Sequence, residues 1–241
     1  MPEIRGNRIL DALPAHESER VMPELKITDL KLSELIYEVD KPLTSVYFPS
    51  TAVLSMLALS EEGHAVEIAT IGNEGFAGAQ VVLGTDRVPS RAICQVAGKA
   101  YRTPVETIRD LMRQNRILHQ YMQRFTQGMI VFMGQSIACN RFHTIQQRCA
   151  RWLLLTADRA GSETFPLTQE FLAMMLGVHR PGVSVAAGAL QHQGFITYKR
   201  GIVSVLDRAG LESASCECYG IVTKEFERLY GLPRDGNPVA S

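Results

Sequence analysis

Two groups of side chains in this sequence have the types and spacing to do chemistry. The first lies between Leu167 and Leu206 and comprises Thr168 and Gln169, then His179, Arg180 and Ser184, then Lys199 and Arg200. A guanidinium bonds bidentately to guanine or to phosphate, and hydroxyl, amide and ammonium groups suit phosphate oxygens. The second is the thiol pair of Cys216-Glu217-Cys218; His143 stands by itself near a helix start, where an imidazole could bind haem or a metal. Two sulfurs in a C-x-C pair are too few for a tetrahedral metal site, so packed or solvent-facing thiols are expected, and a capping or packing role for His143. No nucleophile–base pair and no phosphate-binding glycine loop is present. No catalytic residue, metal or cofactor is therefore expected.

The elements around the first group set its geometry. Thr168 is a candidate N-cap for a helix that begins at Gln169 and buries Phe171, Leu172 and Leu176. Gly177 ends it in a tight turn. A second helix runs from about Arg180 to His192 with Val183, Ala186, Ala187 and Leu190 inward, and Pro181 is tolerated because it falls in the first turn. Gly194 then opens a hairpin, Phe195–Tyr198 and Ile202–Leu206, turning at Lys199-Arg200-Gly201. This order spells a winged helix-turn-helix. It places Arg180, with His179 and Ser184, at base edges of a major groove, and Thr168, Gln169, Lys199 and Arg200 at phosphates.

Upstream, short apolar or alternating runs at 46–49, 53–59, 65–71 and 91–96 are punctuated by Pro42, Pro49, Gly63, Gly72 and Gly98, as in an antiparallel barrel or jelly roll. From Glu106 to Cys139 no proline occurs. Ile108, Leu111, Leu118, Met122, Phe125, Met129 and Phe132 repeat at 3-4 spacing, broken by the polar Asn115 and continued to Ser136, which predicts one long helix with a dimer seam. Ile117, Tyr121, Ile130 and Ile137 form a second stripe. The reading is an α+β chain in three parts: a β-roll sensor over 1–104, a dimerisation helix over 105–140 and a DNA-binding domain over 141–241.

Charge agrees with that division. Lys+Arg equal Asp+Glu at 25 each, yet residues 1–104 balance to −4 and residues 141–210 to +4, so the excess of cations sits where nucleic acid would bind. No run reaches the roughly 18 apolar residues of a membrane span, and Met1–Arg5 do not begin a signal peptide. Five scattered cysteines make no disulfide framework. A cytoplasmic location is expected, with no membrane partner.

The whole pattern resembles the Crp/Fnr family of bacterial transcription regulators. The resembling pieces are Val46-Tyr47-Phe48-Pro49, Ile71-Gly72-Asn73-Glu74-Gly75-Phe76-Ala77-Gly78, Ala138-Cys139-Asn140, Gln147–Leu154 and Leu167–Ala173. The resemblance implies a homodimer on a palindromic operator in double-stranded DNA, with RNA polymerase as a candidate protein partner. Arg180 matches the family's base-reading arginine, while Pro181 and Val185 replace polar residues that some members use. Cyclic-nucleotide-binding members hold ribose and phosphate with a Gly-Glu pair and a later Arg-Ser pair. Here Asn73 follows Gly72, Glu74 is displaced by one residue, and Gly84 falls at the phosphate arginine. Gly72, Asn73, Glu74, Gly75, Arg87 and Arg91 are the candidate effector pocket, with cAMP disfavoured and the effector unknown. Two alternatives stand beside this reading. One is a cupin-like jelly-roll metal enzyme, suggested by Gly63-His64-Ala65-Val66-Glu67 but short of histidines, since none other lies between His16 and His119. The other is a ligand-sensing module that acts on a protein partner without DNA.

Overall fold

A computed structural model describes residues 6–230; residues 1–5 and 231–241 lie outside them. Two short helices, α1 (Arg8–Asp11) and α2 (Ala15–Val21), lead into β1 (Lys26–Leu30), β2 (Leu35–Tyr37), β3 (Ser45–Pro49), β4 (Val53–Leu59), β5 (Ala65–Ile71), β6 (Arg91–Val96) and β7 (Gly98–Pro104). The strands form two antiparallel sheets, ordered β1-β7-β3 and β2-β6-β4-β5, which share one core containing Val46, Phe48, Leu54, Leu57, Ala92 and Cys94. Helices α3 (Val105–Gln114), α4 (Arg116–Phe142) and α5 (Ile145–Ala160) follow. The chain continues through β8 (Thr164–Pro166), α6 (Gln169–Leu176), α7 (Arg180–His192), β9 (Ile196–Lys199), β10 (Ile202–Val205), α8 (Arg208–Ala214) and α9 (Cys218–Tyr230). The four apolar runs became β3, β4, β5 and β6. Strands β1, β2, β7 and β8 escaped the sequence reading because their faces are largely polar or very short.

The long helix differs from expectation in two ways. Asn115 interrupts it: the backbone there is extended (φ −123°, ψ 95°), and the buried side chain donates to Leu111 O at 3.0 Å. The helix α4 has no side-chain cap of its own. Instead the buried Glu17 carboxylate of α2 accepts from the N–H groups of Ile117 and Leu118, each at 2.9 Å, where the helix dipole favours a negative charge. The second correction concerns the seam. Ile108, Leu111, Leu118, Met122, Phe125, Met129 and Phe132 are all buried within the chain itself. A 3-4 repeat reports that a face is covered, and here the β-roll and α9 cover it.

An aromatic line shows how that face is used. Phe48 of β3 meets Phe76 at 5.5 Å between ring centroids, Phe76 meets Phe125 of α4 at 5.0 Å, and Phe125 meets Phe226 of α9 at 5.9 Å. A Cβ on Gly75 would overlap the Phe125 ring, and one on Gly72 would overlap Arg159 of α5. The turn after β5 is therefore glycine-rich because two helices press against its backbone.

Polar groups join the β-roll to α5. Trp152 Nε1 donates to Glu67 Oε1 at 2.9 Å, and Gln95 Nε2 donates to Thr156 Oγ1 at 2.8 Å. Between them, Ser55 Oγ lies 2.7 Å from Glu67 Oε2 and 2.6 Å from Gln95 Oε1. A hydroxyl carries one proton and cannot donate to both acceptors. A protonated Glu67 resolves the conflict by donating to Ser55, which then donates to Gln95. Burial acts the same way, pushing the Glu67 carboxyl up to about 7 and outweighing its contacts with Ser55 and Trp152.

Two predictions follow from this packing. Gly75→Ala should lower stability in urea by about 1–3 kcal/mol, the usual cost of overpacking. Gly220→Ala in α9, where a methyl meets open space, should instead raise it by about 0.5–1 kcal/mol. For Glu67, the folded pKa is raised, so the native state holds its proton longer than the unfolded chain. Stability should then fall as pH rises between about 4.5 and about 7. Glu67→Gln should remove that slope, and a slope unchanged in the variant would assign it to other groups.

Candidate nucleic-acid interface

The helix-turn-helix is built by local capping. Thr168 Oγ1 accepts from Phe171 N at 3.1 Å to start α6, and Gly177, in the left-handed region at φ 60°, ends it. Extended His179 then enters α7, with Arg180 and Pro181 in its first turn. Ser184 Oγ donates to Gln169 Oε1 at 2.6 Å, which ties the two helices together. This bond leaves the Gln169 amide N–H groups as donors.

The wing is a three-stranded sheet, ordered β8-β10-β9, with Lys199 paired to Ile202 across a two-residue turn. Both turn residues have positive φ, 52° at Arg200 and 75° at Gly201, as a type I′ hairpin requires. Arginine gains nothing conformationally there and costs about 1–2 kcal/mol relative to glycine. An arginine kept in such a place points to a use for its guanidinium. Tyr198 anchors the wing from below: its hydroxyl donates to Leu167 O at 3.0 Å and its N–H donates to Gln191 Oε1 at 2.9 Å. Burial pushes that hydroxyl up to about 12, so it stays a neutral donor.

Thr168, Gln169, Arg180, Ser184 and Arg200 line one concave surface of about 410 Å³, together with Gly188, Gln191 and Tyr198. Five of the seven expected residues thus converge. Lys199 stands exposed beside the turn, and His179 lines a different cleft against the β4–β5 hairpin. Gly188 and Gln191 were legible in principle, since Ser184, Gly188 and Gln191 share one face of a helix.

The cations divide by use. Arg159 pairs with Glu74 at 2.8 Å, and Arg208 pairs with Asp158, with Glu163 at 2.9 Å and with Glu212 at 3.1 Å. Arg148 donates to Leu176 O and Arg151 to Ser136 Oγ. Arg180, Lys199 and Arg200 make no ion pair among the described residues and face solvent. Four of the eight cations in 141–210 are therefore structural, while Arg180 and Arg200 line the concave surface.

The expected effector residues do not converge. Glu74 is buried against Arg159 and accepts from Gly72 N at 3.1 Å, while Gly72 and Gly75 abut Arg159 and Phe125. Asn73 O accepts from Arg8 N at 2.7 Å. Arg91 pairs with Glu38 at 2.8 Å, and Arg87 donates to Asp40 O at 3.2 Å. His64 is exposed on the β4–β5 hairpin, 3.4 Å from Glu62.

Residues 147–214 match the family model of the Crp-like helix-turn-helix domain. The whole architecture is that of solved Crp/Fnr structures. The chain has the fold of Crp/Fnr proteins of known structure. A Crp/Fnr-family regulator from Eubacterium rectale superposes with a TM-score of 0.64 at 17% identity, covering 86% of this chain and 96% of that one. FixK2 from Bradyrhizobium japonicum gives 0.65 at 16% identity, covering 80% and 98%. The c-di-GMP-responsive regulator CLP of Xanthomonas campestris gives 0.63 at 14%, covering 80% and 99%. No curated protein sequence matches the chain. The Crp/Fnr-type fold accounts for the order of β-roll, long helix and wing, and no helix among the described residues is long and apolar enough to cross a membrane.

Proposed function

We propose that this protein is a cytoplasmic transcription regulator, not an enzyme, which binds double-stranded DNA as a homodimer on a two-fold symmetric operator. In this proposal residues 1–104, 105–140 and 141–241 serve as sensor, dimer helix and DNA-binding domain, and RNA polymerase is a further partner. The observation that carries it is the convergence of Arg180 with Thr168, Gln169, Ser184 and Arg200 on one concave surface flanked by unpaired cations.

In that arrangement the first turn of α7 enters the major groove. Arg180 reads a guanine, and Val185, 75% exposed on the same helix, offers a methyl surface for thymine. Thr168, Gln169, Lys199 and Arg200 hold phosphates. Dimerisation uses the face of α4 that the chain leaves open: Ile130 is 53% exposed and Ile137 73%, with Gly134 between them facing open space. These three lie at 4-3 spacing, and Ile130 and Ile137 belong to the second stripe of the sequence. The β-roll takes its signal at a place other than Gly72–Gly75, whose backbone the helices already occupy.

Selection from a random duplex library at about 0.1 M salt, where weak contacts are screened, tests the reading. A palindrome with half-sites about one helical turn apart is the expected product, and recovery of no enriched sequence, with or without cell extract, would overturn it. Arg180→Ala should cost about 1–3 kcal/mol on the selected site and relax one base position. Ile130→Glu with Ile137→Glu should convert a sedimenting dimer to monomer, whereas a dimer that survives both changes uses another surface.

A further inference from the structure

The sequence reading left the C-x-C pair without partners and gave His143 a packing role; the structure joins them. Cys139 lies near the end of α4 and His143 ends that helix one turn later, while Cys216 and Cys218 flank Glu217 at the start of α9. Cys139 Sγ is 3.5 Å from Cys216 Sγ, Cys218 Sγ is 3.5 Å from His143 Nδ1, and all four ligand atoms lie within 4.8 Å of one another. The three sulfurs form a small buried cluster separate from the main core. Tetrahedral zinc with Zn–S bonds of about 2.3 Å spaces its sulfurs at about 3.8 Å, close to what is found here.

The surroundings point the same way. His143 Nε2 lies 3.1 Å from Glu217 Oε1, so the carboxylate holds one ring nitrogen and directs Nδ1 at the thiols. That is the carboxylate–histidine arrangement by which proteins orient a metal-binding imidazole. Gln135 Nε2 donates to Cys218 Sγ at 3.1 Å, a bond that a thiolate accepts well. Simple packing of thiols needs neither an oriented imidazole nor a donor aimed at sulfur.

We infer that Cys139, His143, Cys216 and Cys218 form a closed four-ligand site for a thiophilic divalent cation of the zinc class. Three thiolates and an imidazole exclude magnesium and calcium, which take oxygen ligands. Binding releases the thiol protons and forms three metal–sulfur bonds and one metal–nitrogen bond, with no change of oxidation state. The site fastens the end of α4 to the junction of α8 and α9, across the His143–Thr144 bend that leads into α5. Occupancy thus fixes the angle between the long helix and the helix-turn-helix.

Cobalt titration of the reduced, chelator-treated full chain tests the site independently of DNA. One cobalt per chain should bind, with the strong visible absorption of a tetrahedral thiolate centre, and one zinc should displace it. Cys218→Ser and His143→Ala should lose that spectrum, His143→Cys should keep it, and Glu217→Gln should weaken affinity about tenfold. Cys94→Ser with Cys149→Ser, which removes the two other cysteines, should leave the titration unchanged. Wild-type protein that binds no cobalt, binds it with a weak octahedral spectrum, or yields a Cys139–Cys216 disulfide with no metal capacity would overturn the site. The consequence for orientation rests on the DNA-binding reading. Loss of affinity for the selected duplex on metal removal supports it, while unchanged affinity overturns that role and leaves the site standing.

Discussion

The buried ion pair between Glu74 and Arg159 is the contact on which the rest of the arrangement depends. Arg159 Nε lies 2.8 Å from Glu74 Oε1, and both side chains are almost fully removed from solvent. Such a pair recovers its desolvation cost only with further support, and losing one partner typically costs about 3–5 kcal/mol. Support comes from several sides here. The Arg159 guanidinium lies 5.1 Å from the Phe132 ring centroid, Glu74 Oε2 accepts from Gly72 N, and Glu74 O accepts from the Tyr230 hydroxyl at 2.6 Å. The β5 turn, α4, α5 and α9 are thereby held at one point. Only glycine at 72 and 75 lets the helices come that close.

That junction makes the helix-turn-helix part of the body of the molecule. Trp152, Thr156 and Arg159 all lie on one helix and all reach into the β-roll, while Gly177, at the end of α6, approaches Val66 of β5. The β-roll and the helix-turn-helix are thus joined by direct side-chain contacts. The Glu67–Ser55–Gln95–Thr156 chain is the polar part of the β-roll contact with α5, and the aromatic line from Phe48 to Phe226 packs the β-roll against α4 and α9.

The sequence showed much of this and hid the rest for identifiable reasons. Apolar runs bounded by proline and glycine marked β3, β4, β5 and β6 because each buries a face. Thr168, Gly177 and Pro181 marked the helix-turn-helix because capping is local chemistry. The heptad seam was visible, but periodicity says only that a face is covered, so Met122 and Phe125 were assigned to a partner when α9 and Phe76 cover them. Asn115 was seen as a polar gap, and nothing local shows that Glu17, a hundred residues away, would cap the helix beyond it. Gly72 and Gly75 fall in the candidate effector pocket by sequence because small residues serve ligand approach and helix approach alike. Gln191 and Tyr198 were missed at the interface because each is an anchor for the wing as well as part of its surface.

The thiol cluster shows the same limit most sharply. Cys139 and His143 are one helical turn apart, and Cys216 and Cys218 alternate about one residue, so each half reads as an incomplete site. What completes it is the return of α9 along α4, which is set by Phe226 against Phe125 and Tyr230 against Tyr121, not by the cysteines. Apolar packing pays for bringing the two halves together, and the ligand set is then a consequence of register. A cation held there would in turn resist any motion that slides α9 along α4, so the metal and the aromatic line would stabilise one and the same pose of the helix-turn-helix.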